Sequence, residues 1–242
     1  MKLSKNILFT SIISICALSS CQEDTLMNNG ANGNVEIVAR MSEQTQSKTC
    51  VGNATAEGAV GILWTPGDRI GVYGTGGTRN SMFVSANTGK VAEAVFTGKL
   101  GAGESPAYAY YPYSEDNASS DLEAIKGELK SVQTFDMTNG TLECDYKIGQ
   151  PLTTANQGKE FEFEFRHLFS LLRFDIDATG TALEGDKLES IILTLPEGHR
   201  LWGKFTFHGT TGEVTWPEAG NEANMLTMVW SDTPALTNGK QY

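Results

Sequence analysis

Histidine is scarce in this chain: His167, His199 and His208 are the only three in 242 residues. They show no metal-ligand spacing, and the four cysteines form no CxxC pair. A zinc site needs three or four nitrogen or sulfur ligands in a defined geometry, and no such set is recognisable. Positive charge is also short: 18 Lys and Arg stand against 29 Asp and Glu, a formal net charge of −11. Such a surface repels nucleic acid and anionic lipid heads, which removes both from the expected partners. Helical periodicity is nearly missing. Residues 120–130 alone carry it, with Leu122, Ile125 and Leu129 three and four apart, and they predict one short helix. The G-x-S-x-G elbow of a hydrolase is absent, and the glycine-dense run 71–77 leads into no helix. The sequence predicts no catalytic residue, no metal and no cofactor.

What is present begins with a single apolar run. Lys2 and Lys5 precede residues 7–18, which are uncharged but interrupted by Thr10, Ser11 and Ser14. The run is shorter than the roughly 20 residues that span a bilayer core, so it reads as a cleaved signal. It ends at Leu18-Ser19-Ser20-Cys21, which resembles the lipobox of a bacterial lipoprotein with Cys21 as the lipid-bearing residue. Several acyl chains, at about 0.8 kcal/mol per buried CH₂, hold far more firmly than one reversible chain. Residues 1–20 are thus a signal peptide. Residues 21–34, rich in Asn and Gly, form a flexible linker. The expected location is the outer membrane, lipid-anchored and surface-exposed. Two cysteines, Cys50 and Cys144, belong to the folded part; two separate thiols and one disulfide both remain open.

From residue 35 the texture is all-β. Val35, Ile37 and Ala39 alternate with Glu36 and Val38. Runs at 70–73, 81–84, 93–100 and 107–113 follow, separated by Pro, Gly, Asn and Asp turns. Residues 160–165 read EFEFEF, with three Phe on one face and three Glu on the other, the pattern of a half-buried strand. Further strands are expected at 168–176, 187–195, 201–207, 213–216 and 225–230. Short strands at this spacing predict a β-sandwich. The change in texture near Arg166 divides the chain into an N-terminal sandwich, 35–165, and a C-terminal one, 166–242.

Three stretches in order carry a family resemblance. They are Trp64-Thr65-Pro66-Gly67-Asp68-Arg69-Ile70-Gly71-Val72-Tyr73, then Ala109-Tyr110-Tyr111-Pro112-Tyr113, then Phe165-Arg166-His167-Leu168-Phe169-Ser170-Leu171-Leu172-Arg173-Phe174. Behind a lipoprotein signal, this ordered set resembles the fimbrillin family of Bacteroides-type bacteria. The resemblance implies tandem transthyretin-like β-sandwich domains in a pilus subunit, stalk or tip, that serves adhesion. It implies assembly by β-strand addition, in which a protease removes the lipidated end with the first strand and a neighbouring subunit's strand fills the groove. Mapped onto this chain, Val35, Ile37 and Ala39 mark the exchanged first strand, and Arg40 and Lys48 are the candidate processing sites. A lysine at 48 does not suit an arginine-specific protease. The partners implied are other pilus subunits, the outer membrane through the lipid anchor, and host or bacterial surface ligands. Residues 237–242 resemble a turn that leads into one more strand in such proteins, so the second domain is expected to be partial. The alternative expectation is a surface lipoprotein that never polymerises and binds carbohydrate or a host ligand on aromatics such as Tyr110, Tyr113, Trp202 and Trp216.

Overall fold

The computed structural model describes residues 33–42, 63–152 (without 137 and 139), 161–217 (without 173 and 175) and 223–236. Cys21, Lys48, Cys50, Glu160 and the segments 1–32 and 237–242 lie outside the described residues. The class is all-β. The first strands are β1 (Asn34–Met41), β2 (Arg69–Gly74), β3 (Ser81–Ser85), β4 (Glu93–Lys99) and β5 (Pro106–Tyr111). A single 3₁₀ turn, Glu115–Asn117, separates them from β6 (Ile125–Leu129), β7 (Val132–Asp136), β8 (Thr141–Leu142), β9 (Lys147–Pro151) and β10 (Phe161–His167). The last are β11 (Ser190–Thr194), β12 (Gly203–Phe207), β13 (Val214–Thr215) and β14 (Met225–Trp230).

Seven strands close into a barrel in the order β1-β10-β9-β5-β2-β3-β4. Where the sequence predicts open sandwich sheets, β1 joins both ends of this set. It runs parallel to β10 and antiparallel to β4. The period of two then sorts the side chains. Val35, Ile37 and Ala39 meet Phe96, Phe163 and Phe165 inside the barrel, all buried. Around them pack Ile70, Val72 and Phe83, also fully buried. Glu162 and Glu164 alternate with these phenylalanines and face outward, as the EFEFEF pattern predicts.

Trp64 completes this core from outside the regular strands. Its backbone bridges to Val91 by two hydrogen bonds of 2.7 and 3.0 Å. Its ring stands edge-on to Phe96, Phe165 and Tyr111 at 5.1, 5.1 and 5.6 Å. The next four residues, Thr65-Pro66-Gly67-Asp68, turn the chain into β2. Gly67 takes φ +80°, which a glycine adopts without strain. The Asp68 carboxylate accepts from the Thr65 N–H at 2.7 Å and from its hydroxyl at 2.8 Å.

A second core lies against the barrel's outer wall. Tyr73, Tyr110 and Ile148 project from β2, β5 and β9 onto Ile125, Leu129, Phe205 and Phe207. The latter four belong to a three-stranded sheet ordered β13-β12-β6. Tyr110 is fully buried, and its hydroxyl donates to Asn80 Oδ1 at 2.6 Å while accepting from Asn117 Nδ2 at 3.2 Å. Burial, then the neighbouring Tyr110, pushes the Tyr73 phenol well above its usual range. A third, four-stranded sheet is ordered β11-β14-β7-β8. Strands on the two sides of residue 166 share both smaller sheets: β6 pairs with β12, and β7 with β14.

Two expected elements are corrected. The helix over 120–130 is instead the strand β6. Ile125, Gly127 and Leu129 also fit a period of two, and Gly127 lies flat on the Phe205 ring, where a Cβ would come within 2.4 Å. The strand expected at 168–176 does not form among the described residues: β10 stops at His167, and Leu168 and Phe169 turn away to pack on the second core.

Close packing makes Gly149 a sharp test. A Cβ there would stand 2.5 Å from the buried Phe165 ring, whereas one at Gly89 meets nothing within 4 Å. Gly149→Ala is expected to lower stability by about 1–3 kcal/mol, and Gly89→Ala to leave it within about 0.5 kcal/mol. Thermal unfolding of both variants checks the barrel interior directly.

Candidate functional site

The strand that the sequence singles out sits between two neighbours, which flank it together over residues 37–40. Residues 34–40 pair with β4, and residues 37–41 pair with β10. The Ser42 N–H extends the ladder to Phe165 O at 2.8 Å. Taking β1 out would leave β4 and β10 with unpaired backbone groups above an apolar floor. Buried backbone groups left without partners are costly, so such a groove favours refilling by another strand.

Arg40 lies on the outer face of β1. Its Nη2 bonds Glu162 Oε2 at 2.7 Å, and its Nε stands 3.7 Å from Glu93 Oε2. These three side chains are 40%, 33% and 58% exposed, so water screens the cluster and its contribution is small. The guanidinium does relieve the repulsion along the outward Glu162–Glu164 face. Arg40 is held in the ladder on both edges and Met41 on the β10 edge. A protease binds its substrate as an extended free segment, so the bond between them is open to cleavage only when β1 is out of the barrel.

A second cluster, which the sequence reading missed, closes one end of the barrel. Lys147 opens β9 and pairs in register with Tyr111 of β5 and His167 of β10, so all three project inward. Lys147 and His167 are buried, with side chains 5% and 3% exposed. Asp145 lies between them: one carboxylate oxygen bonds Lys147 Nζ, and the other contacts His167 Nδ1 at 2.8 Å. The ammonium also rests 4.4 Å from the Tyr111 ring centre and 5.4 Å from that of Trp64. Two aromatic faces and a carboxylate replace the water that Lys147 loses on burial. Tyr111 OH in turn donates to Asp68 at 3.3 Å, which ties this plug to the turn before β2. The sequence held only a partial signal, since Asp145 and Lys147 are two apart but Asp145 precedes the strand that Lys147 opens. Their partner His167 is twenty residues further on and could not be joined to them by spacing.

The other expected features are placed as follows. His208 Nδ1 contacts the Thr210 hydroxyl at 2.8 Å, and no cluster of metal-ligating side chains occurs among the described residues. Cys144 is a free, half-buried thiol, and burial pushes its pKa up. It borders an open cleft of about 690 Å³ with Lys126, Lys130, Glu143 and Lys204. Of the four aromatics expected to form a binding platform, Tyr110 is withdrawn: it is fully buried. Trp216 is half-buried, 5.3 Å from Phe205, with the Arg200 guanidinium 5.6 Å above its ring. No protein-family model, curated protein or solved structure matches the chain.

The plug makes a signed prediction. Burial alone would raise the Asp145 carboxyl; the Lys147 charge and the His167 contact outweigh it and hold the carboxyl below its ordinary value. A depressed folded-state pKa stabilises the fold above the unfolded value of about 3.9, and this stability is lost as pH falls through the folded value. Asp145→Ala also strands Lys147 as a buried, unpaired charge, a loss of about 3–5 kcal/mol. Thermal unfolding from pH 2 to 7 should show the variant much weaker at neutral pH and converging on the native chain at low pH. Parallel curves would contradict this assignment.

Proposed function

We propose that this chain is a surface-exposed, lipid-anchored, fimbrillin-like subunit that builds or caps a pilus by β-strand addition and serves adhesion. One observation carries the reading. β1 follows the lipid-bearing leader in sequence and is paired on both edges, with Val35, Ile37 and Ala39 in the barrel core. Loss of that segment with the anchor at Cys21 opens a groove of matching length and alternation. A partner's strand that fills it gains affinity from main-chain bonds and register from apolar side chains at every second position. The barrel and the two smaller sheets would then correspond to the tandem transthyretin-like domains of such subunits. The ordered Trp64, Tyr110–Tyr111 and Phe165–Leu168 motifs support the same reading, since each has a packing role around the groove.

Processing falls at Arg40 or Lys48 in this scheme. Cleavage at Lys48 leaves β1 intact but severed, held by its ladders until a competing strand displaces it. The non-polymerising alternative, a lipoprotein that binds carbohydrate or a host ligand, rests on the partly exposed Trp216 ring with the Arg200 guanidinium above it.

The experiment compares the full chain with one beginning at Ser42. The shortened chain is expected to form ladders of oligomers on unheated SDS gels, and the full chain none. A synthetic peptide of residues 33–42 should suppress the ladders by refilling the groove. A shortened chain that stays monomeric and keeps full thermal stability would sink the proposal.

A further inference from the structure

The two walls of the seat that β1 fills make unequal demands on its occupant. On the inner face, residue 37 lies between Phe96 and Phe161, and residue 39 between Ala94 and Phe163. Ile37, Ala39, Ala94 and Phe163 are all fully buried. Position 37 is thus filled by a large aliphatic side chain set between two rings. At position 39 an alanine faces an alanine inside a closed core. A longer side chain there overpacks the barrel.

The outer face carries charge at one end. Residue 40 lies in register between Glu93 of β4 and Glu164 of β10. Arg40 is bonded to Glu162 at 2.7 Å and stands 3.7 Å from Glu93, so three carboxylates gather around one position of the seat. Arg166, the next outward residue of β10, turns its guanidinium to the Thr211 carbonyl at 2.5 Å. The other cation of the β4 row, Lys99, lies at the far end, opposite Asn34.

We infer that the seat selects its incoming strand by sequence: a large aliphatic residue at position 37, Ala or Gly at 39, and Lys or Arg at 40. This rests on the strand-addition reading above and adds the chemistry of the partner, a neighbouring subunit's strand with that pattern. An acidic residue at 40 would bring a fourth carboxylate to Glu93, Glu162 and Glu164, and like charges across strands repel. The exposed Arg40 contacts add little affinity when correct. Their effect is to reject wrong strands, which is a source of specificity. The small residue and the cation are adjacent, so they point to opposite faces and fix the register. A slip of one residue drives the cation into the core. A slip of two toward Met41 sets the large residue against Ala94.

The test uses the full chain, folded and then nicked at a specific protease sequence placed at residue 48, so that β1 is severed but seated. Fluorescent peptides of residues 33–42 compete for the seat in mild denaturant, and native mass spectrometry follows the replacement of β1. The peptide of unaltered sequence is expected to enter. Arg40→Glu in the peptide should weaken entry about tenfold at low salt. That difference should shrink at about 1 M salt, where exposed charges are screened. Ala39→Leu should weaken entry at least about tenfold at either salt concentration. Glu93→Lys combined with Glu162→Lys in the nicked chain should reverse the charge preference and admit the Arg40→Glu peptide over the unaltered one. Variant peptides that enter as readily as the unaltered one overturn the selection rule and leave strand addition standing. Entry of no peptide into a nicked chain that keeps its circular dichroism spectrum overturns both.

Discussion

The architecture depends on one strand having two neighbours. β4 and β10 are more than sixty residues apart in sequence and meet only through β1, which donates and accepts along both edges. With β1 seated, the seven strands have no free edge. Every second residue then faces a common interior, where Phe96, Phe163 and Phe165 surround Ile37. The outer wall formed by β2, β5 and β9 becomes a rigid platform. Tyr73, Tyr110 and Ile148 stand on that platform and hold the β13-β12-β6 sheet. A local property of eight residues at the start of the folded part therefore controls both cores.

The charged plug adds register to this closure. Lys147, Tyr111 and His167 lie in one cross-strand row, and a slip of β9 by one residue would turn Lys147 outward, away from Tyr111 and His167 and from Asp145. A buried ion pair is a weak source of net stability because desolvation offsets most of the attraction. Its effect here is selective: it penalises the alternative pairings of β9 that apolar residues alone would tolerate. The Arg40–Glu162 pair works at the other extreme. It is exposed and weak, and it offsets the repulsion among the acidic side chains of the outer face.

Much of the barrel was legible because period-two alternation is local. The EFEFEF strand and the run from Val35 to Ala39 declared their inner faces directly, and the 225–230 strand matches its predicted span. Residues 120–130 misled because Ile125 and Leu129 satisfy both a helical and a strand spacing. The choice between them is made at a distance, by the Phe205 ring on Gly127 and the Asn117 amide on Lys126. Barrel closure was not legible, since sandwich and barrel share the same strand pattern and differ only in whether β1 reaches β10. Of the candidate site, Val35, Ile37, Ala39 and Arg40 could be read from the sequence, whereas the Asp145–Lys147–His167 plug could not. It is assembled from two strands and a connecting segment, and its meaning lies in burial that no single residue announces.

The central claim is that β1 holds the barrel closed as an integral strand. Hydrogen exchange of the native chain, followed by mass spectrometry, tests it most directly. Amides of residues 35–41 should exchange as slowly as those of 94–98 and 162–166, and all three groups should be released together on global unfolding. Fast exchange of residues 35–41, with β4 and β10 still protected, would show that the barrel stands without β1 and would contradict the account.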